Sequence, residues 1–182
     1  MRPINGGRFD LAYSKRGTWF YEPKYNGWRA LVHAPTGTMF NRHGERLTIA
    51  SEFKESLAML KESPVTEWFD MEGLDRRHNL CRGSLVILDA LLPGTYRERR
   101  AVLDGRYGKT QPFAPSPTIF LVESSPASEA AALWESLREA NANLGVEFYE
   151  GLVAKKADSL YTMQLRSSKE ETRDWIKHRW EF

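Results

Sequence analysis

The 182-residue chain has a single cysteine, Cys81, only four histidines, and no uninterrupted apolar stretch near the roughly 18 residues that a membrane helix requires. One cysteine excludes an internal disulfide, and no Cys/His set has zinc-finger spacing. Cys81 is therefore expected as a small buried hydrophobe. Met1-Arg2-Pro3-Ile4-Asn5-Gly6-Gly7 lacks the apolar core of a secretory signal, so an intracellular, cytoplasmic location with no membrane partner is the expectation. Charge of one sign is lacking as well. With 26 Lys and Arg against 24 Asp and Glu, the net charge of +2 neither demands nor excludes nucleic acid. There is no internal repeat, no low-complexity tract and no shift in composition, so residues 1–182 are read as one domain, expected to be a monomer. A hydrophobic content of 41% and an aromatic content of 12% exclude a disordered chain.

Short runs rich in β-formers predict strands at 28–34, 67–71, 85–91, 118–123, 152–156 and 175–180. Helical spacing puts Phe53, Leu57 and Leu60 on one face behind Ser51. It does the same for Ala130, Leu133 and Leu137 behind Ser125-Pro126, with Gly145 past the end. A helix of poorer pattern runs from Tyr96 to Tyr107. Strands outnumber helices without alternating regularly with them, which favours α+β over a doubly wound parallel sheet.

Two basic segments are present. Tyr96-Arg97-Glu98-Arg99-Arg100 with Arg106 and Lys109 is balanced between a polyanion surface and a solvated helix face. Lys155, Lys156, Lys177 and Arg179 form the other, for which the functional reading is favoured. Gly108-Lys109-Thr110 imitates a phosphate-binding loop, but Leu103 stands where that motif needs its first glycine. His33, His43, His78 and His178 share no metal-ligand spacing and are expected to be structural. Most of the six tryptophans belong in the core by size, with Trp19, Trp28 and Trp68 as candidates to stack on a nucleotide.

Five charged clusters follow one another. They are Lys24-Tyr25-Asn26-Gly27 with Arg29, Asn41-Arg42-His43-Gly44, Asp70-Met71-Glu72-Gly73, Glu150-Gly151-Leu152-Val153-Ala154-Lys155, and Trp175-Ile176-Lys177-His178-Arg179. Each alone recurs by chance. Their order resembles the adenylyltransferase domain of ATP-dependent DNA ligases, in a superfamily that also contains RNA ligases and mRNA-capping guanylyltransferases. The resemblance spans residues 22–179. It implies an α+β fold of two packed antiparallel sheets flanked by helices, with a nucleotide cleft between them. The family's OB-fold domain is expected to be lacking, since Phe182 follows the last cluster at once.

The resemblance also implies roles. Lys24 would attack the α-phosphorus of ATP to form lysyl-AMP. At an ordinary pKa of about 10.4 roughly one lysine in a few thousand is neutral at pH 7, so burial or neighbouring cations must lower it. Lys155, Lys177 and Arg179 are such cations. Lys155 and Lys177 are implied as further catalytic groups, Lys177 at the α-phosphate with Arg179 beside it. Alternation along a strand puts Trp175, Lys177 and Arg179 on one face. Glu22 would receive the adenine amino group, Arg29 and Glu72 the ribose hydroxyls, and Arg42 the phosphates and a nucleic-acid 5′ end. Glu150 and Asp70 are the implied carboxylates for Mg²⁺, with Mn²⁺ as a substitute.

Two residues depart from the family pattern. Asn26 replaces the Asp of Lys-x-Asp-Gly, and Leu88 stands where an aromatic ring often stacks on adenine. The implied function is a DNA ligase core that seals 5′-phosphate/3′-hydroxyl nicks in duplex DNA, with RNA as the other polynucleotide. A separate OB-fold domain or partner chain would complete it. The alternatives are a non-catalytic adenine-nucleotide or DNA-binding module, an RNA ligase, and a guanylyltransferase, against which Glu22 argues.

Overall fold

The computed structural model describes residues 6–8, 17–62, 65–75, 81–108, 118–161 and 172–180. Among these described residues there are ten strands: β1 (Gly6–Arg8), β2 (Trp19–Tyr25), β3 (Trp28–His33), β4 (Thr38–Phe40), β5 (Trp68–Leu74), β6 (Ser84–Ala90), β7 (Ile119–Leu121), β8 (Ser125–Pro126), β9 (Tyr149–Lys156) and β10 (Thr172–Arg179). They form two five-stranded sheets, ordered β1-β10-β9-β2-β8 and β4-β3-β5-β6-β7. The sheets are antiparallel except at two edges, where β1 pairs parallel with β10 and β7 parallel with β6. Three α-helices flank them: α1 (Lys54–Lys61), α2 (Tyr96–Tyr107) and α3 (Ala130–Leu144). No helix among the described residues is long and apolar enough to cross a membrane.

The helices form where spacing and caps agree. A 3-10 turn at Thr48–Phe53 leads into α1, and Phe53, Leu57 and Leu60 are buried against the second sheet. Helix α2 opens with a capping box in which the Thr95 side chain accepts from the Glu98 amide while Glu98 accepts from the Thr95 amide. Gly145 ends α3 in the left-handed region at φ 66°. One core lies between α1 and the outer face of the second sheet, around Met39, Phe69, Met71 and Ile87. Another joins the two sheets and α3 through Tyr25, Val86, Phe120, Leu137 and Leu152, and Cys81 is buried there.

Strand β2 has no signal by alternation because Pro23 interrupts it and Glu22 and Lys24 are charged. Proline is excluded from strands with a partner on each side. Here β8 pairs only with Phe20 and Tyr21, so at Pro23 the strand has β9 alone as a ladder partner among the described residues. The missing amide hydrogen costs nothing there.

The first basic segment is not a free cationic face. Arg99 is fully buried and forks onto Asp89 at 2.8 and 2.9 Å, its remaining donors reaching the carbonyls of Gly94 and Ser159. Arg100 binds Asp104 and the Val122 carbonyl, while Tyr96 is buried. Lys109 lies outside the described residues. Removing the cation of a buried pair strands its partner, so Arg99→Leu is expected to cost about 3–5 kcal/mol. Denaturant midpoints of the two proteins check this, and a loss below about 1 kcal/mol would contradict it.

Candidate active site

Where the two sheets splay apart they enclose a cleft of about 440 Å³. On β2 the alternation that buries Tyr25 turns Glu22 and Lys24 toward this space. On β9 and β10 the same rule turns Val153, Lys155, Trp175 and Lys177 inward, and Trp175 pairs directly with Lys155. Glu150 should then point away from the cleft. It does not, because the β2–β9 ladder shifts register between Lys24 and Tyr25. Gly151, at φ 138°, takes up the shift, and a Cβ there would come within 2.1 Å of the His178 carbonyl oxygen. The parity of β9 reverses at that glycine and brings Glu150 to the cleft wall.

Glu150 therefore meets Lys24 head-on. Its Oε2 lies 2.5 Å from Lys24 Nζ and 3.0 Å from Arg179 Nε. Opposite, on the second sheet, Glu72 accepts the Gly27 amide at 2.9 Å. A Cβ on Gly27 would stand 2.5 Å from the Gly73 carbonyl, which is why glycine follows Asn26. Asn26 itself is turned away from the cleft. Its side-chain amide donates to the Glu147 carbonyl and its backbone amide to that of Phe148. An aspartate could not make the first of these bonds.

Deeper in the cleft Glu22 is almost fully buried. Lys155 Nζ lies 2.7 Å from its Oε2 and Tyr96 donates to its Oε1 at 2.6 Å. Burial pushes the Glu22 carboxyl up, with Lys155 and Arg100 pulling it back. Lys155 also donates across the cleft floor to the Leu88 carbonyl on β6. Arg42 stands on the tight turn after β4, which is shaped by Asn41 Oδ1 accepting the amides of His43 and Glu45. Its Nε donates to the His43 ring.

Of the eleven residues expected at the site, Glu22, Lys24, Arg29, Arg42, Glu72, Leu88, Glu150, Lys155, Lys177 and Arg179 all line this one cleft, and Asp70 does not. Asp70 is fully buried and forks onto Arg29 at 2.6 and 3.0 Å, while the Tyr161 hydroxyl donates to it at 2.8 Å. It holds Arg29 in place. Among the described residues no three His, Cys, Asp or Glu side chains cluster as a metal site. Of the three tryptophans considered for stacking, Trp28 lines the cleft mouth, Trp19 is core, and Trp68 packs on His33 and Phe40. Tyr96 and Tyr161 had no signal in the sequence, since both act through residues far along the chain.

Comparison with solved structures gives close fold agreement at low identity. Lig E DNA ligase matches with a TM-score of 0.63 at 15% identity, over 99% of this chain and 69% of that one. The ligase domain of LigD from M. tuberculosis matches at 0.61 and 22%, over 98% and 59%. The chain has the nucleotidyltransferase fold of ATP-dependent DNA ligases. An archaeal ATP-dependent RNA ligase shares this ligase fold more loosely, at a TM-score of 0.53 and 17% identity over 92% and 48%. The chain thus spans between about half and two-thirds of these ligases. No protein-family model and no curated protein sequence matches it.

Burial pushes the Glu72 carboxyl up to about 7, against the pull of Lys24 and Arg29. Because the folded pKa exceeds the ordinary 4.5, the folded state binds more protons between 4.5 and 7, and stability falls as pH rises through that window. The loss is on the order of 3 kcal/mol at most. Glu72→Gln is expected to flatten this slope in urea unfolding across the window, and an unchanged slope would show that another group causes it.

Proposed function

We propose that this chain is the nucleotidyltransferase core of an ATP-dependent DNA ligase. Lys24 is its nucleophile, nicked duplex DNA its polynucleotide, and RNA the nearest variant. The observation that carries this reading is the convergence of Lys24, Glu22, Arg29, Glu72, Glu150 and Lys177 on one cleft from five strands. Fold similarity to DNA and RNA ligases supports ligation as the reaction class.

The residues suit the chemistry. In the first step a bond forms between Lys24 Nζ and the α-phosphorus of ATP, the bond to pyrophosphate breaks, and Nζ loses a proton. Glu150, in contact with Lys24, is the base nearest that proton. Arg29 and Glu72 offer a donor and an acceptor on neighbouring strands, paired directly in the β3–β5 ladder, as ribose hydroxyls require. Lys177 and Arg179 supply positive charge for the phosphates, and Arg42 stands at the rim where a 5′-phosphate enters. AMP then passes from Lys24 to the 5′-phosphate, and the 3′-hydroxyl displaces it.

A divalent ion fits one place. Glu150 is the carboxylate on the phosphate side of the cleft, and Mg²⁺ takes one or two carboxylates with phosphate oxygens and water. When bound, Mg²⁺ or Mn²⁺ neutralises phosphate charge and orients the leaving group.

A second reading, a non-catalytic adenine-nucleotide binder, is favoured by one observation. Glu150 holds Lys24 Nζ in an ion pair, so the atom that would attack is engaged by a carboxylate and not directed at a phosphate. Intact-mass measurement separates the two. After incubation with ATP and Mg²⁺ the chain is expected to gain the mass of one AMP. The gain should be absent with GTP and absent in Lys24→Ala. ATP binding without a mass increase, together with failure to seal a pre-adenylated nick, would establish the binder instead.

A further inference from the structure

Resting on the ligase reading, we infer that Trp28 is a stacking platform at the cleft mouth for the base of the nucleotide that carries the 5′-phosphate at a nick.

Trp28 is 44% exposed, whereas Trp19 and Trp175 are 2% exposed. Leaving a large apolar ring in water forgoes the gain of burying it, and this ring is held there. Its Nε1 donates to Asp75 Oδ2 at 2.7 Å, and Asp75 is itself buried. An indole N–H lies in the plane of the ring, so this bond orients the ring and takes up no part of its face. The backbone fixes it as well. Asn26 and Gly27 join β2 to β3, so Trp28 opens β3 only four residues after Lys24.

Cations stand on the same rim. Strand β4 runs antiparallel to β3, pairing Phe40 with Leu31, and so points toward the Trp28 end of β3. The turn at 41–44 continues in that direction, and Trp28, Arg42 and His43 line the same cleft. An indole face beside a guanidinium suits a nucleotide, with the phosphate on the cation and the base on the ring. The base is joined to its 5′-phosphate through a single sugar, so a phosphate on Arg42 brings its own base to this rim. Adenine is not the ring's partner, because Glu22, its implied acceptor, lies deep in the cleft while Trp28 stands at the mouth. At a nick the strand has lost one backbone link, which lowers the cost of shifting the terminal base out of its stack. Stacking involves no net charge, so it leaves the salt dependence to the phosphate contacts.

Fluorescence anisotropy of a labelled nicked duplex with a 5′-phosphate and a dideoxy 3′ end, without ATP, tests the inference. A second duplex lacks only the base on the phosphate-bearing nucleotide. Trp28→Ala is expected to weaken binding of the intact duplex about tenfold, with an unchanged slope of log affinity against log salt. Arg42→Gln should instead lower that slope. Wild type should lose about the same tenfold on the abasic duplex, and Trp28→Ala should lose nothing further there, since ring and base are one contact. Trp28→Phe gives up the bond to Asp75 but keeps an aromatic face, and should retain most of the affinity for the intact duplex. The abasic comparison needs only wild type, so it decides the matter even if Trp28→Ala does not fold. Wild type that binds both duplexes alike, multiplied losses from Trp28→Ala and the missing base, or a lower salt slope in Trp28→Ala would each overturn the inference. Wild type that gains AMP yet binds no nicked duplex would overturn it too, and wild type that neither gains AMP nor binds the duplex would defeat the ligase reading with it.

Discussion

The Lys155 ammonium is the point at which the two sheets are tied together behind the cleft. It sits on β9 of the first sheet, pairs with Glu22 on neighbouring β2, and reaches the Leu88 carbonyl on β6 of the second. The cleft is the space in front of that tie. Were the sheets to close as an ordinary sandwich, apolar side chains would meet at about 10 Å and leave no room for a polar ligand. A buried ion pair with its hydrogen bonds fills the junction instead and keeps the front open and polar.

That arrangement repeats. Arg29 with Asp70, Arg99 with Asp89 and Lys155 with Glu22 are three cation–carboxylate pairs in which the carboxylate is nearly or wholly buried. Such pairs gain little net stability over an apolar packing of the same volume. Their use here lies in direction. Asp70 and Tyr161 fix the guanidinium of Arg29, which also lies 5.7 Å over the Trp175 ring, and Arg99 ties α2 to β6 so that Tyr96 arrives at Glu22. Groups that line the cleft are thus held by groups behind it.

This division explains what could be read from the chain alone. Residues that face the cleft belong to short clusters with spacing, so Lys24, Arg29, Glu72 and Glu150 were legible, as was α+β architecture with helices at 54–61, 96–107 and 130–144. The supporting groups were not. Asp70 sits two residues from Glu72 on the same strand face and looks like a second metal carboxylate, yet its oxygens are taken by Arg29 and Tyr161. The arginines of α2 look like a basic patch, and only tertiary contact shows Arg99 inside the protein. Strand β2 was obscured by Pro23, because whether a proline is tolerated depends on how far the next strand extends. Two parallel edge pairings, set by long connections, left no trace in alternation.

The reversal at Gly151 has a consequence for how this surface can vary. Glu150 is aimed by backbone conformation and not by the packing of its neighbours, since neither the φ of 138° nor the 2.1 Å approach to His178 leaves an alternative to glycine. Side chains around it are consequently released from the task of orienting the carboxylate. Val153 and Leu152 can drift through other apolar residues while Glu150 stays on station, so mutational tolerance should be uneven along β9, concentrated where the strand is regular and nil at the one residue that has no side chain at all.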